Sequence, residues 1–250
     1  MIGIMTAMTE EIGLLMANLS DVSEVVERGM RTYHRGRLWG VPVVLVFSRW
    51  GKVSAATTVT HLLCEFGVTE LIFTGVAGAV DPSLRIGDVV VADCLVQHDM
   101  DARPLYGRHE IPLLNKVNFE PDNALRDELI GATHAYLDTD WESSIPEALR
   151  SRFGIRNPRY VVGRVVSGDK FFASKAAVNA LRRRLAAACV EMEGAAVAQV
   201  CYEHSMKFAV VRTISDSANE VAPIAFPAFV RDVAAVYSHG IIRRFLTGRK

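Results

Sequence analysis

The sequence predicts an α/β fold, a three-layer αβα sandwich on a mixed central sheet, from three observations. Short β-branched runs recur along the chain, and most are followed by a stretch with helical spacing, the alternation that builds a sheet covered by helices on both faces. Residues 31–47 carry Trp39-Gly40 in the middle and Pro42 just ahead of a second apolar run, which reads as a hairpin and makes the sheet mixed. The 250 residues are 50% hydrophobic and 22% charged, enough apolar material for one domain spanning 1–250 and too little polar bias for disorder.

Each element follows in chain order. Residues 2–5 form a first strand, and Thr9 ahead of Glu10 and Glu11 offers a hydroxyl N-cap and two first-turn carboxylates for a helix over 10–19. The second arm of the hairpin is a strand over 43–47, and a helix follows over 53–66. A strand over 71–73 leads into Thr74-Gly75-Val76-Ala77-Gly78, expected as a tight strand-to-helix turn. A strand over 89–92 precedes residues 95–121, whose three prolines and mixed charge give no period and predict a long excursion from the sheet. Asp122 precedes a helix over 123–137. A strand over 161–166 and a helix over 174–187, with Ser174 at its start, come next. Strands over 189–191 and 208–212 flank a helix over 193–205, and a long helix runs from Phe226 toward Leu246.

Composition excludes several classes of function. Lys plus Arg and Asp plus Glu both number 28, so the basic excess of a phosphate-backbone binder is missing and no nucleic-acid partner is expected. No run approaches the ~18 apolar residues of a membrane span. Met1-Ile2-Gly3-Ile4-Met5 lacks a basic leader, so no signal peptide is expected either. Cys64, Cys94, Cys189 and Cys201 form no C-x-x-C pair and are expected as reduced, buried thiols of a cytoplasmic protein. His98-Asp99-Met100-Asp101 lies in the proline-rich excursion without fixed ligand geometry, so no metal is expected. Arg182-Arg183-Arg184 reads as a solvated helix face.

Open α/β sheets bind ligands beyond the carboxyl ends of their strands, so the residues that follow each strand carry the functional information. They are Glu10 and Glu11, the glycine segment 74–78, Ser167-Gly168-Asp169, Glu191-Met192-Glu193 and Ser215-Asp216. The glycine segment has neither the dinucleotide spacing nor a P-loop ending. Taken singly, Glu11 and Glu193 are also helix-start acids, Asp216 a loop cap, and Asp169 a turn residue supporting Phe171. Together, several acids without a metal cluster suit cleavage of a glycosidic bond. Such a bond needs a proton for the leaving base, a carboxylate to activate water, and a group holding the ribose hydroxyls.

These motifs, with Gly51-Lys52-Val53 and Arg212-Thr213-Ile214-Ser215-Asp216, resemble in order and spacing the 5'-methylthioadenosine/S-adenosylhomocysteine nucleosidases of the nucleoside phosphorylase-like family. The resemblance covers nearly the whole chain. It implies hydrolysis of those two nucleosides to adenine and a 5'-thioribose product, with 5'-deoxyadenosine or 6-amino-6-deoxyfutalosine as further substrates. It implies no cofactor, a role in methionine salvage, and a homodimer whose interface completes each site. By the same resemblance Glu11 is the base that deprotonates water, in the Ala7-Met8-Thr9-Glu10-Glu11 segment that separates nucleosidases from phosphorylases. Asp216 is the acid at purine N7, protonated far above the reference pKa of ~3.9 with help from Ser215. Glu193 and the Met192 backbone take the ribose hydroxyls, with Arg212 close by. Phe171 stacks on the adenine, the Phe172 main chain reads its edge, and Phe226 closes over the sugar. Val76 and Gly78 line the pocket. The chain departs from relatives at Val76, where some have serine, at Trp50, where a smaller aliphatic residue is common, and at Leu105-Tyr106, near the place of an aromatic residue donated across the dimer.

Overall fold

The computed structural model describes residues 1–217 and 222–249, and the side chains of all but 222–225 of these. Strands β1 (Ile2–Thr6), β2 (Leu19–Arg28), β3 (Arg31–Leu38), β4 (Val41–Phe47), β5 (Glu70–Ala79), β6 (Val89–Gln97), β7 (Tyr160–Ser167), β8 (Cys189–Glu191) and β9 (Lys207–Asp216) form a mixed sheet in the order β2-β3-β4-β1-β5-β8-β7-β6-β9. The hairpin expected over 31–47 is β3 and β4, paired antiparallel around Trp39-Gly40. β9 also pairs in parallel with β5. The strands β5, β8, β7, β6 and β9 therefore curl into a closed ring, and β2, β3, β4 and β1 extend from it as an open wing.

Helices cover both faces, for a reason visible in each strand's alternation. Met5, Val44, Val46, Leu71 and Phe73 point into one core with Ala55, Val59 and Leu62 of α2 (Lys52–Cys64) and Ala195, Ala198 and Cys201 of α7 (Gly194–Glu203). Ile2, Ile4, Val43, Leu45 and Ile72 point the other way. They meet Ile12 and Leu15 of α1 (Thr9–Ala17), Leu125 and Leu129 of α3 (Asn123–Thr139), and Ile241, Ile242 and Phe245 of α9 (Ala235–Thr247). Each fully buried aliphatic side chain contributes about 1.5–3 kcal/mol, so the period of two fixes which residues face which helices. A third cluster seats α6 (Lys175–Leu185) through Val178, Leu181 and Leu185 on the outer side of the ring.

Several local expectations change. Met8, not Thr9, occupies the N-cap of α1, and Thr9 is already helical. Residues 74–78 are not a turn but the second half of β5. β2 was not foreseen, because it is an edge strand with mostly exposed Ser, Asp, Glu and Arg side chains, a composition that guards an edge and hides its period. The short helices α4 (Trp141–Ser144) and α5 (Glu147–Phe153) were missed as well. The closing helix is three pieces: α8 (Ala222–Phe229), a π-helical turn over Val230–Ala234, and α9. Pro227 lies inside α8 and lacks an N–H to donate, just ahead of the π turn. Asp122 caps α3 through the Leu125 amide as expected, whereas Ser174 stands at the N-cap of α6 without a side-chain bond. Cys94, Cys189 and Cys201 are buried free thiols, but Cys64 is exposed. No helix of the described residues is long and apolar enough to cross a membrane.

Candidate active site

The register of β5 creates the site. Its first half pairs with β1 over Glu70–Phe73, and its end pairs with β8 at Gly78 and Ala79. On that flank neither strand reaches residues 74–77, so backbone donors there are open to side chains. The Val76 amide donates to Glu11 Oε1 at 3.1 Å. Glu11 is the third residue of α1 and folds back over the end of β1, where Oε2 accepts the Ala7 and Met8 amides, both at 3.0 Å. Three backbone amides thus fix one fully buried carboxylate. Gly75 leaves room beside it, since a Cβ there would stand 3.0 Å from Glu11 Oε1, closer than an ordinary contact. Burial raises the Glu11 carboxyl from its ordinary 4.5 to about 7, against the opposing pull of Arg212 and the three amides.

Glu193 sits between β8 and α7, with its Oε1 accepting the Gly51 amide at 2.7 Å. Burial first, then the neighbouring Glu191 charge, pushes its carboxyl up. Asp216 ends β9, and the Ser215 hydroxyl donates to its Oδ2 at 2.7 Å. Carboxylates from the N-terminal helix and from two strand ends in the C-terminal half of the chain converge on one cavity of about 590 Å³. Ala7, Met8, Trp50, Val76, Gly78, Phe171, Phe172, Met192, Arg212 and Phe226 line it too. The residues to which the resemblance gives a catalytic or substrate-binding role all meet this cavity except Ser215, which touches it through Asp216, whereas the strand-end residues Glu10, Ser167, Gly168 and Asp169 lie outside its lining. The rings of Trp50 and Phe171 both meet Phe226 edge to face, with centroids 5.9 and 5.6 Å away.

Sequence reasoning left Glu191 without a role. In the fold it accepts the Gly194 amide at 2.8 Å and the Ser167 hydroxyl, and it pairs with the buried Arg212 at 2.9 Å. Arg212 also donates to the Phe73 and Val211 carbonyls and lies over the Phe73 ring at 4.0 Å. Its charge is therefore taken up by the protein. Asp169 does more than shape a turn: its Oδ1 accepts the Lys52 amide, and its own amide donates to Asp99. Lys52 Nζ bonds Asp99 and Gln97, so three strand-end loops are clipped together around Gly51. The available signal was a carboxylate at the last position of a buried strand, Glu191, which needs a buried cation.

The sequence profile of the Phosphorylase superfamily matches residues 1–247. A 5'-methylthioadenosine/S-adenosylhomocysteine nucleosidase of Staphylococcus haemolyticus is 34% identical over 236 residues, covering 94% of each chain. The chain belongs to the phosphorylase superfamily, among its methylthioadenosine/adenosylhomocysteine nucleosidases. An aminodeoxyfutalosine nucleosidase of Helicobacter pylori is 34% identical and covers 93% of this chain and 92% of its own. The S-adenosylhomocysteine nucleosidase of Streptococcus pyogenes, solved with 5-methylthiotubericidin, superposes with a TM-score of 0.84 at 33% identity, covering 100% of this chain and 97% of that one. For a member of the nucleosidases, the mixed sheet and strand-end cavity are the expected architecture, and the resemblance drawn from the motifs holds along the chain.

Proposed function

We propose that this chain is an N-glycosyl hydrolase that releases adenine from 5'-methylthioadenosine and S-adenosylhomocysteine, with Glu11, Glu193 and Asp216 as the working groups. Glu11 takes a proton from water as the oxygen attacks the anomeric carbon. The electrons of the breaking C–N bond move into the purine, which Asp216 protonates at N7. Glu193 and the Met192 backbone hold the ribose hydroxyls near the developing positive charge. Phe171 and the Phe172 main chain hold the base beside the Val76–Gly78 edge, and Trp50 and Phe226 cover the sugar.

One observation carries this reading: a buried carboxylate aimed into the cavity by three amides, with a pKa of about 7, suits a base at neutral pH. It also weighs against phosphorolysis. Of the lining cations, Arg212 is neutralised by Glu191 and Lys170 lies at the exposed rim, so a phosphate dianion beside Glu11 would meet repulsion without compensation. Adenine release in phosphate-free buffer tests this, with free 5-methylthioribose as the expected co-product. Turnover only on adding phosphate, with a sugar 1-phosphate formed, would assign a phosphorylase instead. Methionine salvage, use of 5'-deoxyadenosine or aminodeoxyfutalosine, a homodimer, and a cytoplasmic location complete the proposal. The buried free thiols and the match across residues 1–247 support the last point and a single domain respectively.

A further inference from the structure

Beyond Trp50 and Phe226 lies a second, open cavity of about 740 Å³, lined by Ala7, Met8, Thr9, Glu10, Phe47, Arg49, Trp50, Phe226, Pro227 and Val230. It shares Ala7, Met8, Trp50 and Phe226 with the first, so these four form an apolar neck between the two. Past the neck stand one cation, Arg49, and one carboxylate, Glu10, both exposed. Arg49 is held in a left-handed backbone conformation, φ +74°, which favours glycine and costs about 1 kcal/mol or more for another residue. Its carbonyl accepts the Ser48 hydroxyl at 2.8 Å, and its guanidinium donates to the Met30 carbonyl at 2.7 Å. Among the described residues no carboxylate forms an ion pair with it. A left-handed backbone thus places an arginine, without an ion-pair partner among the described residues, on the wall of the outer cavity.

We infer that Arg49 and Glu10 form an outer subsite for the amino-acid end of a 5'-thioether substituent, taking its α-carboxylate and α-ammonium respectively. The inference rests on the nucleosidase reading above, which puts the sugar against Trp50 and Phe226. The order of chemistry along the path matches that along the homocysteine tail: a sulfur and two methylenes for the apolar neck, then a zwitterion for the charged pair. Charge-assisted bonds to a carboxylate are the stronger kind, and an arginine fork suits that group. Methylthioadenosine has nothing to place beyond the neck and is the internal reference.

The test compares kcat/KM for S-adenosylhomocysteine and methylthioadenosine in the parent, Arg49→Gly and Glu10→Gln enzymes. Arg49→Gly relaxes the left-handed backbone, so misfolding is not expected to mask the result. The ratio is expected to fall about tenfold in Arg49→Gly, mainly through KM for S-adenosylhomocysteine, and less in Glu10→Gln. Two thioether analogues separate the contacts. The aminopropyl analogue, which lacks the carboxylate, should be insensitive to Arg49→Gly, and the carboxypropyl analogue, which lacks the ammonium, insensitive to Glu10→Gln. An unchanged ratio, or equal losses on both substrates, overturns the subsite alone. Absence of adenine release from either substrate by the parent enzyme overturns the nucleosidase reading, and the subsite with it.

Discussion

Replacing Glu11 with Gln keeps the side chain's shape and removes its charge. In the fold the carboxyl is fully buried and titrates at about 7, against an ordinary 4.5. At about 1.4 kcal/mol per tenfold, that rise makes the ionised form about 3 kcal/mol less favourable in the native state than in the unfolded chain. Because the folded pKa is the higher one, the native state holds the proton more tightly. Its stabilisation is present below pH 4.5 and is lost as the pH rises through about 7. Glutamine has no such loss. Its NH2, however, must face one of the amides that the carboxylate accepts, and an unmade bond there costs about 1–3 kcal/mol at any pH. Urea unfolding of both proteins at pH 5 and pH 8.5 therefore shows the variant gaining on the parent by about 2.5 kcal/mol between the two conditions. In parallel, adenine release falls by a factor of about 10²–10⁴ while nucleoside affinity persists, and the parent's kcat/KM declines below about pH 7. A stability gap that stays constant with pH, together with full turnover, refutes the account of Glu11 as a buried base with a raised pKa.

Asp216→Asn removes the proton for the leaving purine and lowers kcat by about 10²–10⁴, read as adenine released per second, with binding of a non-hydrolysable adenine nucleoside retained by isothermal titration. Gly75→Ala pushes a methyl group to 3.0 Å from Glu11 Oε1 and weakens the Val76 bond that lowers this group's pKa, so the acid limb of the rate profile moves to higher pH. Arg212→Met strands the buried Glu191 charge, costing about 3–5 kcal/mol of stability by denaturant titration. The same change removes the cation that draws Glu11 down, so in the residual activity the limb again shifts upward.

The parts of the fold legible in the sequence were those where one physical signal dominates. Apolar runs such as Val43–Phe47 in β4 and the glycine-centred turn at Gly40 predicted the hairpin, and acids following strands predicted the convergence of Glu11, Glu193 and Asp216. What stayed hidden depends on pairing partners. β2 carries mostly polar, exposed residues because it closes an edge, and no single-chain period announces that. Residues 74–78 look like a turn since glycines are usually turns, but here they let a strand pass close to a carboxylate. Glu191 could not be assigned because its partner, Arg212, lies on another strand and only the ring brings them together. Glu10 is in the sequence a strand-end, first-turn acid and Arg49 belongs to no motif; the cavity they both line exists only in the fold.

The ring's seam has a consequence for how the molecule comes to life on the ribosome. β9, which closes the barrel between β5 and β6, leaves the exit tunnel long after both neighbours, and it carries Arg212 and Asp216. Until it inserts, two strand flanks stand open and Glu191 lacks its counter-ion, so a nascent chain is both sticky and inert. When this strand slots home it supplies the keystone of the barrel and the acid of the reaction together, and the C-terminal helices, with Phe226 and the apolar face of α9, pack after it.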